Sequence, residues 1–326
     1  MKIAALAFTD AGLETGRRLS ALSPDFTLDR CAPGKLGEWT ADAFSRCDAL
    51  IYVGACGIAV RAIAPFVRIK TEDPCVLVVD EQGRYVIPVL SGHIGGGNEL
   101  ALDAAKLLDA LPVITTATDL NGLFAVDVWA RKQALRLPDP SRIKAVSGKL
   151  LRGESVRLSS EYPISGTAPD RVVLSDEDPD VVVGIHSFAG RALRLIVPCV
   201  TAGIGCRRGM DESSIDSAFR RALDEAGLVP ECVAGAASVD LKKDEPGLVS
   251  FCSGRKLPFR TFPSETLEAL PGAFTSSEFV RSVTGTDSVC ERAAVAASGG
   301  ELIFDKHAYN GVTVAFAAAP VDLTWE

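Results

Sequence analysis

Ser91-Gly92-His93-Ile94-Gly95-Gly96-Gly97-Asn98-Glu99-Leu100 is the stretch on which the fold turns. Before it, residues 85–90 form an apolar run of strand length. After it, residues 98–109 set Leu100, Ala101, Ala104 and Leu107-Leu108 along one side of a helix. Three consecutive glycines make a sharp joint between them, because glycine has no β-carbon to obstruct a turn or an approaching ligand. The N–H groups that open the helix face such a joint, and an anionic group suits that position. His93, one of only three histidines, stands just before the glycines, and Glu99 just after them. An imidazole titrates near neutrality and is a candidate proton-transfer group. Its structural alternative is a bond to a loop carbonyl. Glu99, in a first helical turn, also fits as a partner of the helix dipole.

Working outward, residues 2–8 form a short apolar run, and Thr9 and Asp10 can cap a helix reaching about residue 22. Residues 48–53 predict a second buried strand, followed by Gly54-Ala55-Cys56-Gly57 and a helix ending near residue 64. The runs 75–80 and 85–90 are joined in hairpin fashion by Glu81-Gln82-Gly83-Arg84, and 112–115 predicts another strand. Strands alternating with helices predict an α/β domain over 1–126 with a mostly parallel sheet.

Near residue 127 the composition changes. Through residue 194 the apolar runs shorten and turn residues multiply, as in Leu137-Pro138-Asp139-Pro140. Eleven Lys and Arg here face nine Asp and Glu, a net charge of +2 in a chain whose total is −8. The expectation is a small middle domain over 127–194, with a poorly packed linker as the alternative. Residues 195–326 predict a second α/β domain. It comprises strands over 195–202 and 232–239, and helices over 212–226, after Leu241-Lys242-Lys243-Asp244-Glu245-Pro246-Gly247, and over 288–297. Residues 301–306 and 311–317 predict a hairpin, with Asn310-Gly311 as its turn signal.

With 47% hydrophobic and 23% charged residues, the 326-residue chain reads as globular and long enough for two or three domains. The longest C-terminal apolar stretch, 312–321, is too short to span a bilayer, and 3–8 is cut off by Thr9-Asp10, as a strand would be and a signal peptide would not. Nine scattered cysteines without a C-x-x-C pair predict reduced thiols in a cytoplasmic protein and argue against a zinc site. The acidic balance argues against nucleic acid as a partner, yet allows a small anion held by a local basic pocket.

Gly203-Ile204-Gly205-Cys206-Arg207-Arg208-Gly209 is near a dinucleotide fingerprint but misspaced at its last glycine. No G-x-x-x-x-G-K-[ST] and no G-x-S-x-G occurs, so neither a P-loop nor a serine-hydrolase elbow is supported. Arg207 and Arg208 lie at an expected strand end, where ligands collect in open α/β sheets, and Arg matches carboxylates bidentately. Lys242 and Lys243 hold the equivalent place after the next strand. Together the two pairs suggest an anion-binding rim; each alone also reads as solvated surface.

Several blocks resemble the cobalt-precorrin-5A hydrolase family of anaerobic cobalamin biosynthesis. They are Gly57-Ile58-Ala59-Val60-Arg61, Asp73-Pro74-Cys75-Val76, Val79-Asp80-Glu81-Gln82-Gly83, the 91–100 stretch, Val113-Ile114-Thr115-Thr116-Ala117-Thr118-Asp119, the 203–209 run, Asp244-Glu245-Pro246-Gly247-Leu248 and Ser288-Val289-Cys290-Glu291-Arg292-Ala293-Ala294. Gly97 departs from the alanine usual in the family. The resemblance implies two α/β domains joined by a small middle domain, and a hydrolase that opens the δ-lactone of cobalt-precorrin-5A with release of acetaldehyde. It implies no protein cofactor, because cobalt is carried by the substrate. The substrate is a cobalt corrinoid fringed with acetates and propionates, which suits a broad cleft between α/β units. His93 and Glu99 are the expected catalytic residues, with loop N–H groups of Gly95, Gly96 and Gly97 steadying the oxyanion. Arg61, Ser91, Asn98, Thr116, Asp119, Arg207, Arg208, Lys242 and Lys243 are the further expected substrate contacts. Transient contacts with neighbouring pathway enzymes are expected; membrane and nucleic-acid partners are not. A tetrapyrrole-binding carrier without turnover is the alternative, since the last segment also resembles a stand-alone protein of the aerobic pathway. A nucleotide-dependent α/β enzyme is a third.

Overall fold

A computed structural model describes residues 1–69, 72–93, 95–275 and 288–326; Ile94 of the glycine stretch lies outside the described residues. The chain divides into two compact units, residues 1–131 with 143–154, and residues 132–142 with 155–326.

The first unit is built on a six-stranded sheet. Its strands are β1 (Ile3–Ala7), β2 (Phe26–Arg30), β3 (Ala49–Val53), β4 (Cys75–Val79), β5 (Tyr85–Leu90) and β6 (Leu111–Pro112), in the order β2-β1-β3-β4-β5-β6. All neighbours are parallel except β4 and β5, which pair as the expected hairpin. β1, β3 and β4 are buried at every position, as strands covered on both faces must be. Alternation splits their side chains between two cores. Ile3, Ala5, Ile51, Val53, Leu77 and Val79 pack with Leu100, Ala101, Ala104 and Leu108 of α4 (Gly97–Leu108). Ala4, Leu6, Leu50, Tyr52, Val76 and Val78 pack on the other face with Ala59, Ala62 and Ile63 of α3 (Cys56–Ile63). Fully buried Tyr52 satisfies its hydroxyl on Thr40 of α2 (Leu36–Arg46), 2.8 Å away. Thr9 caps α1 (Asp10–Arg18) by accepting the Gly12 N–H at 3.0 Å, and a 3-10 turn continues to Leu22.

The strand expected over 112–115 is shorter. Only Leu111–Pro112 pairs with β5 and one further bond follows, Val113 N–H to Val86. The chain then leaves the sheet for α5 (Ala117–Leu120) and α6 (Val126–Lys132). α7 (Ile143–Leu151) also belongs to this unit.

Among the described residues the second unit holds three sheets. The residues expected to form a middle domain, 127–194, are shared between the two units. Within the second unit they supply much of a four-stranded parallel sheet: β7 (Val156–Ser160), β9 (Val172–Leu174), β10 (Val181–Gly184) and β11 (Leu193–Ile196), in the order β11-β10-β7-β9. A two-stranded parallel pair joins β8 (Ile164–Ser165) to β17 (Leu323–Thr324). The five-stranded sheet contains β12 (Val200–Cys206), β13 (Val233–Val239), β14 (Phe259–Phe262), β15 (Glu301–Tyr309) and β16 (Val312–Ala318), ordered β14-β13-β12-β16-β15. The single strand expected over 195–202 is therefore two strands in two sheets. Pro198, which has no N–H to give a ladder, lies in the break.

Gly203 and Gly205 belong to β12 rather than to a loop. A β-carbon on Gly203 would stand 1.8 Å from the carbonyl oxygen of Cys290 in α11 (Val289–Ser298), so glycine here lets helix and strand backbones meet. One on Gly205 would stand 2.5 Å from Thr313 Oγ1 of β16. Close packing explains these glycines, and the dinucleotide reading of the run falls away. Asn310 and Gly311, both with positive φ, turn β15 into β16 as their dipeptide predicts. Among the described residues this unit also holds α8 (Glu212–Ala226), capped by Asp211, α9 (Pro246–Gly254) and α10 (Ser264–Glu268). Among the described residues no helix is long and apolar enough to cross a membrane.

Candidate active site

The glycine stretch leaves β5 through Ser91, whose φ of 51° is strained for a residue with a side chain. The Ser91 hydroxyl is buried and makes no hydrogen bond among the described residues. Gly95 must be glycine, since a β-carbon would come 2.6 Å from that of Ser91. Gly96 takes the left-handed conformation that starts α4. The loop closes on itself: Gly96 N–H donates to His93 O at 2.9 Å, Gly97 N–H to Ser91 O at 3.2 Å and Asn98 N–H to Gly92 O at 2.8 Å. Gly96 and Gly97 therefore spend on the loop the donors that an oxyanion would need, a correction to the role expected of them.

This closed loop holds His93 against α5 and α6. Nε2 lies 2.8 Å from Asp119 Oδ2 and 3.3 Å from Thr118 Oγ1, while Nδ1 lies 3.5 Å from Asp127 Oδ2. Asn98 reaches the same place, donating to Asp119 Oδ2 at 2.7 Å and Thr116 Oγ1 at 3.0 Å. The Asp127 side chain is 5% exposed, that of His93 16% and that of Asp119 34%. Asp119 is nearer, but Asp127 acts through a drier medium and has the larger influence. Hydrogen bonding to Asp127, then to Asp119, overcomes the opposing effect of burial and lifts His93 to about 9. Burial pushes Asp127 up, yet its contacts with His93 and with its own and the Val128 N–H hold it below the usual carboxylate range. At neutral pH the centre is an imidazolium between two carboxylates. His93 can donate a proton there but cannot accept one, so activation of water falls to another group.

Glu99 is not free for that task, because the Arg131 guanidinium binds it. Arg131 also lies over the loop, 3.4 Å from where a Gly96 β-carbon would be. The structure thus brings together His93, Asn98, Thr116 and Asp119, with Ser91, Gly95, Gly96 and Gly97 shaping the loop. Arg61 stands apart from these contacts, exposed on α3, with Nη1 donating to Gly57 O at 3.2 Å. Asp127, Arg131 and Thr118 were missed by sequence reasoning. Thr118 and Asp119 share one of the quoted blocks; Asp127 and Arg131, one helical turn apart on α6, carried no motif.

The other four basic candidates are in the second unit. Arg207 and Arg208 are exposed at the end of β12, and Arg207 packs along Gly311 of the hairpin turn. Lys242 is engaged: Nζ lies 2.9 Å from Oε2 of buried Glu245, whose Oε1 accepts the Gly209 N–H at 2.6 Å. Together with Gly247, whose β-carbon would stand 2.0 Å from Met210 O, this ties the β12–α8 and β13–α9 junctions together. Lys243 is exposed. The rim expected here thus reduces to Arg207, Arg208 and Lys243.

Residues 38–119 match the family described as cobalamin synthesis G N-terminal, and residues 200–317 the one described as cobalamin synthesis G C-terminus. Cobalt-precorrin-5A hydrolase of Salmonella typhimurium is 35% identical, the comparison covering 97% of each chain. The protein of the same name from Priestia megaterium is 28% identical over 98% of this chain and 95% of that one. Protein CobE of Sinorhizobium sp. is 31% identical over 31% of this chain and 66% of its own. All eight blocks of resemblance read from the sequence fall within the two matched regions, and the match to the Salmonella protein runs nearly end to end. The chain belongs to the cobalt-precorrin-5A hydrolase family.

Proposed function

We propose that this protein opens the δ-lactone of cobalt-precorrin-5A and releases acetaldehyde, giving cobalt-precorrin-5B for anaerobic cobalamin biosynthesis. The observation that carries the reading is His93 held between Asp119 and Asp127 on the glycine loop of a chain that matches a hydrolase of that name over 97% of its length. Cobalt enters as part of the substrate, and the protein supplies acid–base groups and positioning. The nine free cysteines fit a cytoplasmic setting.

In the first step water adds to the lactone carbonyl, giving a proton to the more exposed carboxylate, Asp119. The acyl C–O bond breaks, and the departing alkoxide takes the proton of the His93 imidazolium. His93, now neutral, takes that proton back from the new alcohol as the carbon–carbon bond breaks. Acetaldehyde leaves, and the bonding pair passes to the macrocycle and its cobalt. One water is consumed, and the proton on Asp119 is released to solvent.

Purified cobalt-precorrin-5A is incubated with the protein and acetaldehyde is measured. Turnover is expected, and His93→Gln is expected to lower it roughly 100-fold or more, the usual scale for a lost proton-transfer group. Glu99→Gln, which disturbs only the Arg131 pair, is expected to cost less than about tenfold. A change in the corrinoid absorption spectrum without acetaldehyde would identify a carrier and reject the reading.

A further inference from the structure

We infer that Asp127 is the positioning residue of this site: from α6 it fixes the ring of His93 and keeps it doubly protonated, so that the histidine meets the substrate as an acid. The inference rests on the reading of His93 as the proton donor above.

Three observations support it. Asp127 faces Nδ1, the nitrogen turned away from Asp119, so the two carboxylates grip opposite ends of one ring. Asp119 is one-third exposed and can be reached by substrate or water, whereas Asp127 is buried. Among the described residues the polar contacts shown for this buried carboxylate are His93 and backbone N–H groups, which give it no direct route to a reacting atom. Its effect must pass through the imidazole.

Among the described residues the charged groups facing His93 are Asp119 on α5 and Asp127 on α6; Thr118 is a neutral one, and Asn98 bonds Asp119 beside it. The nearby Arg131 on α6 is engaged with Glu99 on α4. With one carboxylate an imidazolium can still turn about its ring axis and lose its proton near neutrality. With two it is fixed in plane and stays charged until the solution is distinctly alkaline. The arrangement suits a reaction in which a poor leaving group, such as the secondary alkoxide of a lactone, must be protonated as it departs.

The test reads the histidine directly. The chain has three histidines, so the imidazole NMR signals of the isotopically labelled full-length protein can be followed from pH 5 to 10.5, and His93 is identified by its loss in His93→Gln. The native His93 is expected to titrate near pH 9. Asp127→Asn is expected to lower that midpoint by a factor of ten or more in proton affinity, and Asp127→Glu to restore most of it. In the acetaldehyde assay, Asp127→Asn is expected to lose its alkaline activity at correspondingly lower pH, with kcat falling and KM little changed.

An unshifted His93 midpoint in Asp127→Asn would overturn the inference. So would a native midpoint at or below about 6.5, the ordinary value; that measurement needs no variant to fold. A protein that releases no acetaldehyde but whose His93 responds to Asp127→Asn would retain the clamp and lose the proposed reaction. The two readings therefore fail separately.

Discussion

A histidine raised to about 9 by buried and half-buried carboxylates makes stability depend on pH in a known direction. Its unfolded counterpart titrates near 6.5, so the stabilisation is complete below that pH and disappears as pH rises through about 9. Native protein is expected to exceed His93→Gln by up to about 3 kcal/mol in urea melts at pH 6, and by much less at pH 10. Gly203 offers a second test. Gly203→Ala drives a methyl group into a helix carbonyl, and neither backbone is free to move far. It is expected to lower stability by on the order of 3 kcal/mol in the same melts. A cost below about 1 kcal/mol would show that α11 can lift from β12. The sequence marks both residues but explains only one. His93 stands out because an imidazole beside glycines is chemically unusual. Gly203 stands out as well, yet a glycine needed for packing and one needed for a ligand look alike until the helix crossing it is known.

At the scale of elements, α6 holds the glycine loop twice. Asp127 grips His93, and one turn later Arg131 grips Glu99 in the first turn of α4. The second grip is half exposed, so its thermodynamic value is small. Arg131→Ala and Glu99→Gln are each expected to cost less than about 1 kcal/mol, and the double variant no more than the larger single, by urea melts in a double-mutant cycle. Amide exchange at Gly96 and Gly97 is expected to quicken in both. The elements that read clearly from sequence are those with a full apolar signature, such as β1, β3 and β4 with every position buried. α2 was not read, because Thr40 and Ala43 are its only buried residues. β2 was not read either: it is an edge strand with no fully buried position. The short strands β9 and β10 were hidden among turn residues. α6 was not read either, and its chemical role depends on contact with a loop more than thirty residues earlier in the chain, which periodicity does not report.

At the scale of the molecule, the nine thiols are expected to test the packing of both units together. Cys75, Cys199, Cys232, Cys252 and Cys290 are buried, and burial pushes each thiol above its ordinary range. Native protein is expected to give at most four readily reacting groups with a thiol reagent near pH 8, and nine after denaturation. More than four in the native state would mean that one of the cores opens. The two-fold alternation of strands and helices was legible as α/β architecture, whereas the interleaving of the units was not: residues 132–142 join the second unit and 143–154 return to the first. That return matters during synthesis. A ribosome delivers the chain from its N-terminus, and domains often fold as they emerge. Here the six-stranded sheet can be released whole while the unit still lacks α7, and the eleven residues before that helix must wait for partners not yet translated. Maturation of the first unit is therefore timed by a segment encoded beyond the start of the second, so a chain that stops at residue 131 would lack residues 143–154 of the first unit as well as the whole of the second.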